Sequence, residues 1–202
     1  IIFSPHPDDD VVSMGGTFDR LVSQGHEVHI AYQVKGNIAV SDHDALKFIE
    51  VSKDLFKNES KVPVSELIKE LKNNKPDKID SQAVRNLKGF IRKSEAIAAT
   101  RYIGIPDSNT HFLNLPFYDT GRIKKNPPTK KDVLITASLI NKIKPHQIFA
   151  AGDLEDPHGT HKVCLDIILE ALETLKGEKF MKDCWLWLYR GAWLDWDIHD
   201  TV

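Results

Sequence analysis

The sequence predicts an α/β protein: a three-layer α/β/α sandwich around a Rossmann-like, mostly parallel sheet. Three observations carry this expectation. Residues 1–32 read as strand, turn, helix and strand, a β-α-β unit whose product is two parallel strands joined by a right-handed crossover. Residues 147–189 repeat the alternation as a buried strand, an acidic loop, a helix and a late strand. The 202 residues are 41% hydrophobic and 28% charged, which suits one soluble domain with a real core.

Ile1-Ile2-Phe3 is the end of an apolar strand. Helical spacing over residues 11–24 is closed by Gly25, the residue type that most easily takes the left-handed position after a helix. Val28-His29-Ile30-Ala31-Tyr32 is a buried strand. Residues 41–93 are polar and rich in Lys, Glu and Asn. Within them Leu46/Ile49 and Val64/Leu67/Ile68/Leu71 keep helical spacing, while Pro63 and Pro76 punctuate. This segment is expected as a helical insertion over the sheet rim. Helix continues over 91–101, residues 102–105 are expected to be extended, and Pro106-Asp107-Ser108-Asn109 is a turn. Residues 111–118 are short and partly extended, and 121–129 form a loop. Then follow a helix over 131–144, a strand over 147–151, a loop over 152–158, a helix over 160–176 and a strand over 184–189. Trp185, Trp187 and Tyr189 alternate on one strand face and are assigned to core or interface packing, with sugar stacking as the functional alternative. Gly15-Gly16 lacks the Gly-x-Gly-x-x-Gly pattern and is assigned to close helix–strand packing.

A net charge of −2 gives no electrostatic case for a nucleic-acid partner or an anionic membrane. Lys124-Lys125 and Lys130-Lys131 are expected on solvated loops. No stretch approaches the roughly 18 apolar residues of a membrane-spanning helix, and no signal peptide is visible. Cys164 and Cys184 lie far apart in apolar surroundings. They read as small hydrophobes rather than a disulfide framework, and a cytoplasmic location is expected. The chain starts at Ile1, without Met and inside a strand, so residues 1–202 are expected to be one domain excised from a longer protein.

The chemistry is concentrated in two runs. Pro5-His6-Pro7-Asp8-Asp9-Asp10 follows the first strand and opens the first helix. One imidazole and three carboxylates in five positions repel unless a cation sits among them. A helix cap would need one Asp, not three preceded by His-Pro. The second run is Asp153-Leu154-Glu155-Asp156-Pro157-His158-Gly159-Thr160-His161, again between a strand and a helix. In a parallel sheet the carboxyl ends of such strands lie along one edge, so both runs face one cleft. A hydrolytic zinc site takes three protein ligands and keeps one position open. One carboxylate and two imidazoles meet that need, a second carboxylate can take a proton from water, and a second imidazole can stabilise an oxyanion. Spacing alone does not divide these roles within the pairs Asp8/Asp9 and His158/His161. His26, His29, His43, His111, His146 and His199 receive no role.

Pro5-His6-Pro7-Asp8-Asp9 and His158-Gly159-Thr160-His161 resemble the two signature motifs of the PIG-L / LmbE-like N-acetylglucosamine deacetylases. That family removes acetyl groups from N-acetylglucosaminyl compounds with zinc on a Rossmann-like fold. The resemblance implies a bacterial hydrolase with one Zn2+, or another divalent cation in its place, held by His6, Asp9 and His161. It implies Asp8 as general base and His158 as oxyanion stabiliser and acid, with a small amino sugar as substrate. Arg92, in Arg92-Lys93-Ser94-Glu95, and Asp119, after Leu115-Pro116-Phe117-Tyr118, are similar to family positions that reach toward the substrate. The chain also resembles the deacetylase-like domain that some bacterial proteins join to a glucosamine-6-phosphate deaminase-like domain, which makes such a fused domain the expected partner.

Two positions depart from the family pattern. Asp10 stands where Glu is usual, one methylene shorter. Thr160 stands where many members carry an Asp that tunes the non-ligand histidine, a role for which Asp156 is the available substitute. These departures motivate a rival reading, a non-catalytic sugar-binding or regulatory module with a retained metal site. A third reading is a hydrolase of another bond, such as a phosphoester, with Asp10, Asp153 and Glu155 as extra ligands for a second metal.

Overall fold

Five short strands, β1 (Ile2–Ser4), β2 (Ile30–Tyr32), β3 (Thr110–Phe112), β4 (Gln147–Ala151) and β5 (Trp185–Tyr189), form one sheet in a computed structural model of the chain. The structure describes residues 1–202 except 57–63, 75–77, 123, 153–154, 194, 198 and 200–202. Pro63, Pro76 and Asp153, singled out above, therefore lie outside the described residues. The strand order is β3-β2-β1-β4-β5, and every neighbouring pair is parallel. The chain lays β2 and β3 to one side of β1, then returns to place β4 and β5 on the other. The order reverses between β1 and β4, and the crevice beyond the carboxyl ends at such a reversal is where open α/β sheets hold ligands.

Alternation along the strands decides the layers. Phe3, Ala31, Ile148 and Ala150 face one side and pack with α5 (Lys130–Ile143) and α6 (Thr160–Leu175), through Ile140, Cys164, Ile167 and Ile168. Ile2, Ile30, Tyr32 and Ala151 face the other and pack with α1 (Asp9–Ser23) and α4 (Gln82–Ile103), through Met14, Phe18 and Ala96. The three-layer prediction is met. Thr129 and Asp132 form a capping box at the start of α5. Gly25 takes φ +82 just past α1, as its position predicted.

The described residues of the 41–93 segment gather into a cluster of their own. Helices α2 (Asp42–Phe56) and α3 (Val64–Lys72) pack on the first half of α4, around Ala45, Ile49, Leu67, Leu71, Val84 and Ile91. Lys88 of α4 fastens this cluster: its buried ammonium lies 2.6 Å from Asp42 and 2.8 Å from Asp80. Burying a cation requires such pairing.

Several local expectations fail for identifiable reasons. Residues 102–103 are helical, because α4 runs on to Ile103 and stops only where Gly104 takes φ +92. Strand β2 begins at Ile30 rather than Val28. Gly15-Gly16 does not serve close packing: a Cβ at Gly16 would meet nothing within 4 Å. Trp185 and Trp187 stack on each other with centroids 6.5 Å apart and are both exposed, so of the packing roles expected for them the core one is excluded. Tyr189 alone of the three is buried. Among the described residues no helix is long and apolar enough to cross a membrane.

At the amino ends of β2 and β3, His29 Nδ1 and His111 Nε2 lie 3.0 Å apart with their rings stacked. Burial, with the charges of His29 and Lys142, lowers His111 from its ordinary 6.5 to about 4. The folded form therefore resists a proton that the unfolded chain accepts. Stability is expected to fall as pH drops from about 6.5 toward about 4, since the unfolded state binds more protons across that window. Urea midpoints at pH 7.5 and pH 4.5 check this. His111→Gln should show a smaller acid loss than the parent, and an equal loss would remove His111 as its source.

Candidate metal and catalytic site

The turn after β1 is shaped by groups beneath it. The Ser4 hydroxyl donates to the His6 carbonyl and accepts the Asp10 backbone N–H at 3.1 Å. The Tyr32 hydroxyl, from the neighbouring strand, donates to Asp10 Oδ2 at 2.8 Å. Asp10 is fully buried, and burial pushes its carboxyl up against the pull of the Tyr32 and Ser4 hydrogen bonds. The shorter Asp at this position is thus served by Tyr32. Asp10 is committed under the turn, which corrects its expected availability as a ligand for a second metal. Gly36 closes in from the other side. It has φ +64, and a Cβ there would meet the Pro7 ring at 3.0 Å, so a side chain would be both strained and crowded.

His6, Asp9 and His161 come together above this floor. Asp9 Oδ2 lies 3.2 Å from His6 Nδ1 and 3.2 Å from His161 Nε2, and it accepts the His6 backbone N–H at 2.8 Å. Ligand atoms of the three residues fall within 4.8 Å of one another, and this is the one such group found among the described residues. Burial alone would raise the Asp9 carboxyl. Hydrogen bonds from His161 and His6, with their charge, outweigh it and hold Asp9 well below the usual carboxylate range. The donor set suits a divalent cation: in a tetrahedral shell with bonds of about 2.0–2.1 Å, neighbouring donors stand roughly 3.3 Å apart. The spacing of the carboxylate oxygen from each imidazole nitrogen is close to that.

Asp8 sits beside this group and outside it. Its side chain caps nothing, although the residue occupies the position just before α1. Its backbone takes φ 139 and ψ −33, a region that residues with a Cβ seldom enter. The carboxylate lies 2.7 Å from Arg92 Nη2, and Arg92 also reaches the Pro7 carbonyl and Glu95. Partial burial and the Asp9 charge push the Asp8 carboxyl up, opposed by Arg92 and His6.

The second run folds around Asp156. Its Oδ1 accepts the His158 N–H at 3.1 Å, and its Oδ2 accepts those of Thr160 at 2.6 Å and His161 at 3.1 Å. Asp156 is the acidic cap of α6: the hydrogen bonds it accepts come from the backbone N–H groups of His158, Thr160 and His161 rather than from the His158 ring. His158 is exposed at the mouth of the turn, and Thr160 is buried.

Arg92 is brought to the site, but Asp119 is not brought to the ligand group. Asp119 meets Lys35 at 3.5 Å and Arg85 at 3.4 Å. Sequence reasoning missed Tyr118, whose ring stands edge-on to His6 at 5.8 Å, and Lys125, whose ammonium lies 3.8 Å over the Tyr118 ring. Lys125 is half-buried, not on a solvated loop as expected, and burial pushes it down to about 8. The signal for Tyr118 was its place beside Asp119. Nothing in the spacing flagged Lys125.

The profile of the PIG-L family, described as GlcNAc-PI de-N-acetylase, matches residues 1–172. A protein of Bacteroides thetaiotaomicron named glucosamine-6-phosphate deaminase-like is 51% identical over 209 residues. The match takes in 99% of this chain but only 32% of that relative, so the chain spans about a third of its length. Among solved structures, the N,N'-diacetylchitobiose deacetylase of Pyrococcus horikoshii superposes with a TM-score of 0.61 at 16% identity, over 93% of this chain and 58% of that one. A deacetylase of the teicoplanin biosynthesis pathway gives 0.51 at 15% identity, over 95% and 66%. The 4-carboxy-2-hydroxymuconate hydratase GalB of Pseudomonas putida gives 0.53 at 17% identity, over 89% and 57%. A hydratase on this fold shows that the fold does not fix the reaction.

Proposed function

Because the chain belongs to the PIG-L family, we propose that it is a zinc-dependent hydrolase that removes the acetyl group from an N-acetylglucosamine-type amino sugar or conjugate. The observation that carries this reading is the convergence of His6, Asp9 and His161 with Asp8 alongside, at the reversal of strand order. When bound there, the ion would supply Lewis acidity, polarising an amide carbonyl and making water nucleophilic near neutral pH. Asp8 accepts the proton of the attacking water. His158 hydrogen-bonds the oxyanion that develops on the carbonyl and returns a proton to the leaving nitrogen. Water and the amide become acetate and a free amine. The relative's longer chain supports extending the proposal to a protein that joins this domain to a deaminase-like portion. The free cysteines support a cytoplasmic location.

Acetate release from N-acetylglucosamine derivatives tests the reading. Dialysis against a chelator is expected to abolish release, and one equivalent of Zn2+ should restore it. Activity that survives complete metal removal would overturn the metal-dependent mechanism. The Asp8–Arg92 ion pair favours a second reading, a sugar-binding module whose base is tied up. Calorimetric binding of amino sugars by the zinc-loaded protein without any turnover would select it.

A further inference from the structure

Beyond Tyr118 the site continues into a region with more donors than acceptors. Lys35 follows β2, and its stem lies along α4 at Gly89, where a Cβ would stand 3.5 Å from it. Arg85 comes from α4, and Lys125 from the loop after Tyr118. All three cations have Asp119 as their acidic neighbour. It serves them poorly. Its oxygens stand 3.5 Å from Lys35 and 3.4 Å from Arg85, against about 2.7–2.9 Å for a charge-assisted hydrogen bond. Arg85 donates through Nη1 to the Asp80 carbonyl at 2.8 Å and through Nη2 to Gln82 Oε1 at 2.6 Å, both neutral acceptors, while its buried Nε makes no hydrogen bond, as is also true of Arg92 Nε one stretch of α4 further on. Lys125 donates to the Arg122 carbonyl, a neutral acceptor. Three cations against one carboxylate leave a surplus of two positive charges, which matches a phosphate monoester carrying about −1.5 to −2 near neutral pH. Burial lowers Lys125 to about 8 against the opposing charge of Asp119, so that one carboxylate does not offset the ammonium's loss of water.

We infer that Lys35, Arg85 and Lys125 form an anion subsite that takes a phosphate group on the amino sugar, one side chain away from the His6, Asp9 and His161 group. The subsite rests on the deacetylase reading only in placing the sugar between the two. Tyr118 spans that gap, its ring contacting His6 on one side and Lys125 on the other.

The zinc-loaded protein should be assayed with N-acetylglucosamine, its 6-phosphate and its 1-phosphate. Either phosphate is expected to exceed the free sugar in kcat/KM by about 10-fold or more, and the better one locates the phosphate on the ring. Lys125→Gln and Lys35→Gln, both at partly exposed positions, should each shrink that preference by about 10-fold. Equal kcat/KM for charged and neutral sugars would overturn the subsite and leave the deacetylase reading standing. If no acetate is released from any of the three, the deacetylase reading fails, and calorimetry with glucosamine 6-phosphate against glucosamine decides the subsite by itself. Binding of the phosphate that Lys125→Gln weakens supports it, and equal affinity for the two sugars overturns it.

Discussion

Asp8→Asn is expected to lower kcat for acetate release by about 10²–10⁴-fold, with one equivalent of metal still bound. The ligand atoms that converge belong to His6, Asp9 and His161, so losing the Asp8 charge leaves them in place. What disappears is the one carboxylate beside the group that neither ligates nor caps the helix. If Asp8 served only to anchor Arg92, the effect would fall on KM and thermal stability, with kcat within about twofold of the parent. Asp8→Gly separates the two roles further. The backbone at φ 139 costs of order 1–3 kcal/mol for a residue with a Cβ, whereas the half-exposed pair with Arg92 returns about 0–1 kcal/mol. The first effect outweighs the second. Asp8→Gly should therefore raise the melting temperature by a few degrees while abolishing turnover, and a drop in that temperature would show that the strain assigned to Asp8 is not there.

The residues that proved legible in the sequence are those whose placement follows from the nearest strand end. His6 and Asp9 lie in the turn after β1 and at the start of α1, and His161 lies in the first turn of α6, the helix that follows β4; a parallel sheet brings those two strand ends to one edge. The layers were legible for the same reason, since alternation in β1 and β4 and the spacing in α1, α5 and α6 are local patterns. Lys35, Arg85 and Lys125 were not legible, because they come from three separate elements and meet only through Asp119, whose place against α4 no local pattern sets. Asp156 illustrates a finer limit. Its closeness to His158 and His161 is visible in sequence, but whether a carboxylate takes backbone or ring donors depends on the turn's dihedral angles, here with Gly159 at φ +66. The end of α4 was misread because Tyr102 and Ile103 have strand-forming side chains. The helix continues through them until Gly104 supplies the left-handed residue that stops it.

Asp156→Ala is expected to destabilise the protein by about 2–4 kcal/mol and to weaken metal binding by about 10–100-fold, although Asp156 is not in the ligand group. Three backbone N–H groups, those of His158, Thr160 and His161, end on its two oxygens, and the carboxylate is buried. Each donor left without an acceptor costs about 1–3 kcal/mol, but water can replace the partner at exposed His158, so the sum falls short of three full penalties. The helix dipole adds a smaller loss, because the negative charge sits at the start of α6. His161 is the second residue of that helix, so a frayed first turn displaces one of the two imidazoles. Asp156→Asn should fall between the parent and Asp156→Ala, since its amide keeps one acceptor oxygen where the carboxylate had two. Urea denaturation and zinc titration of the three proteins test this grading. Zinc affinity unchanged in Asp156→Ala, despite lost stability, would mean that the turn carrying His161 is held by other contacts and that Asp156 only caps the helix.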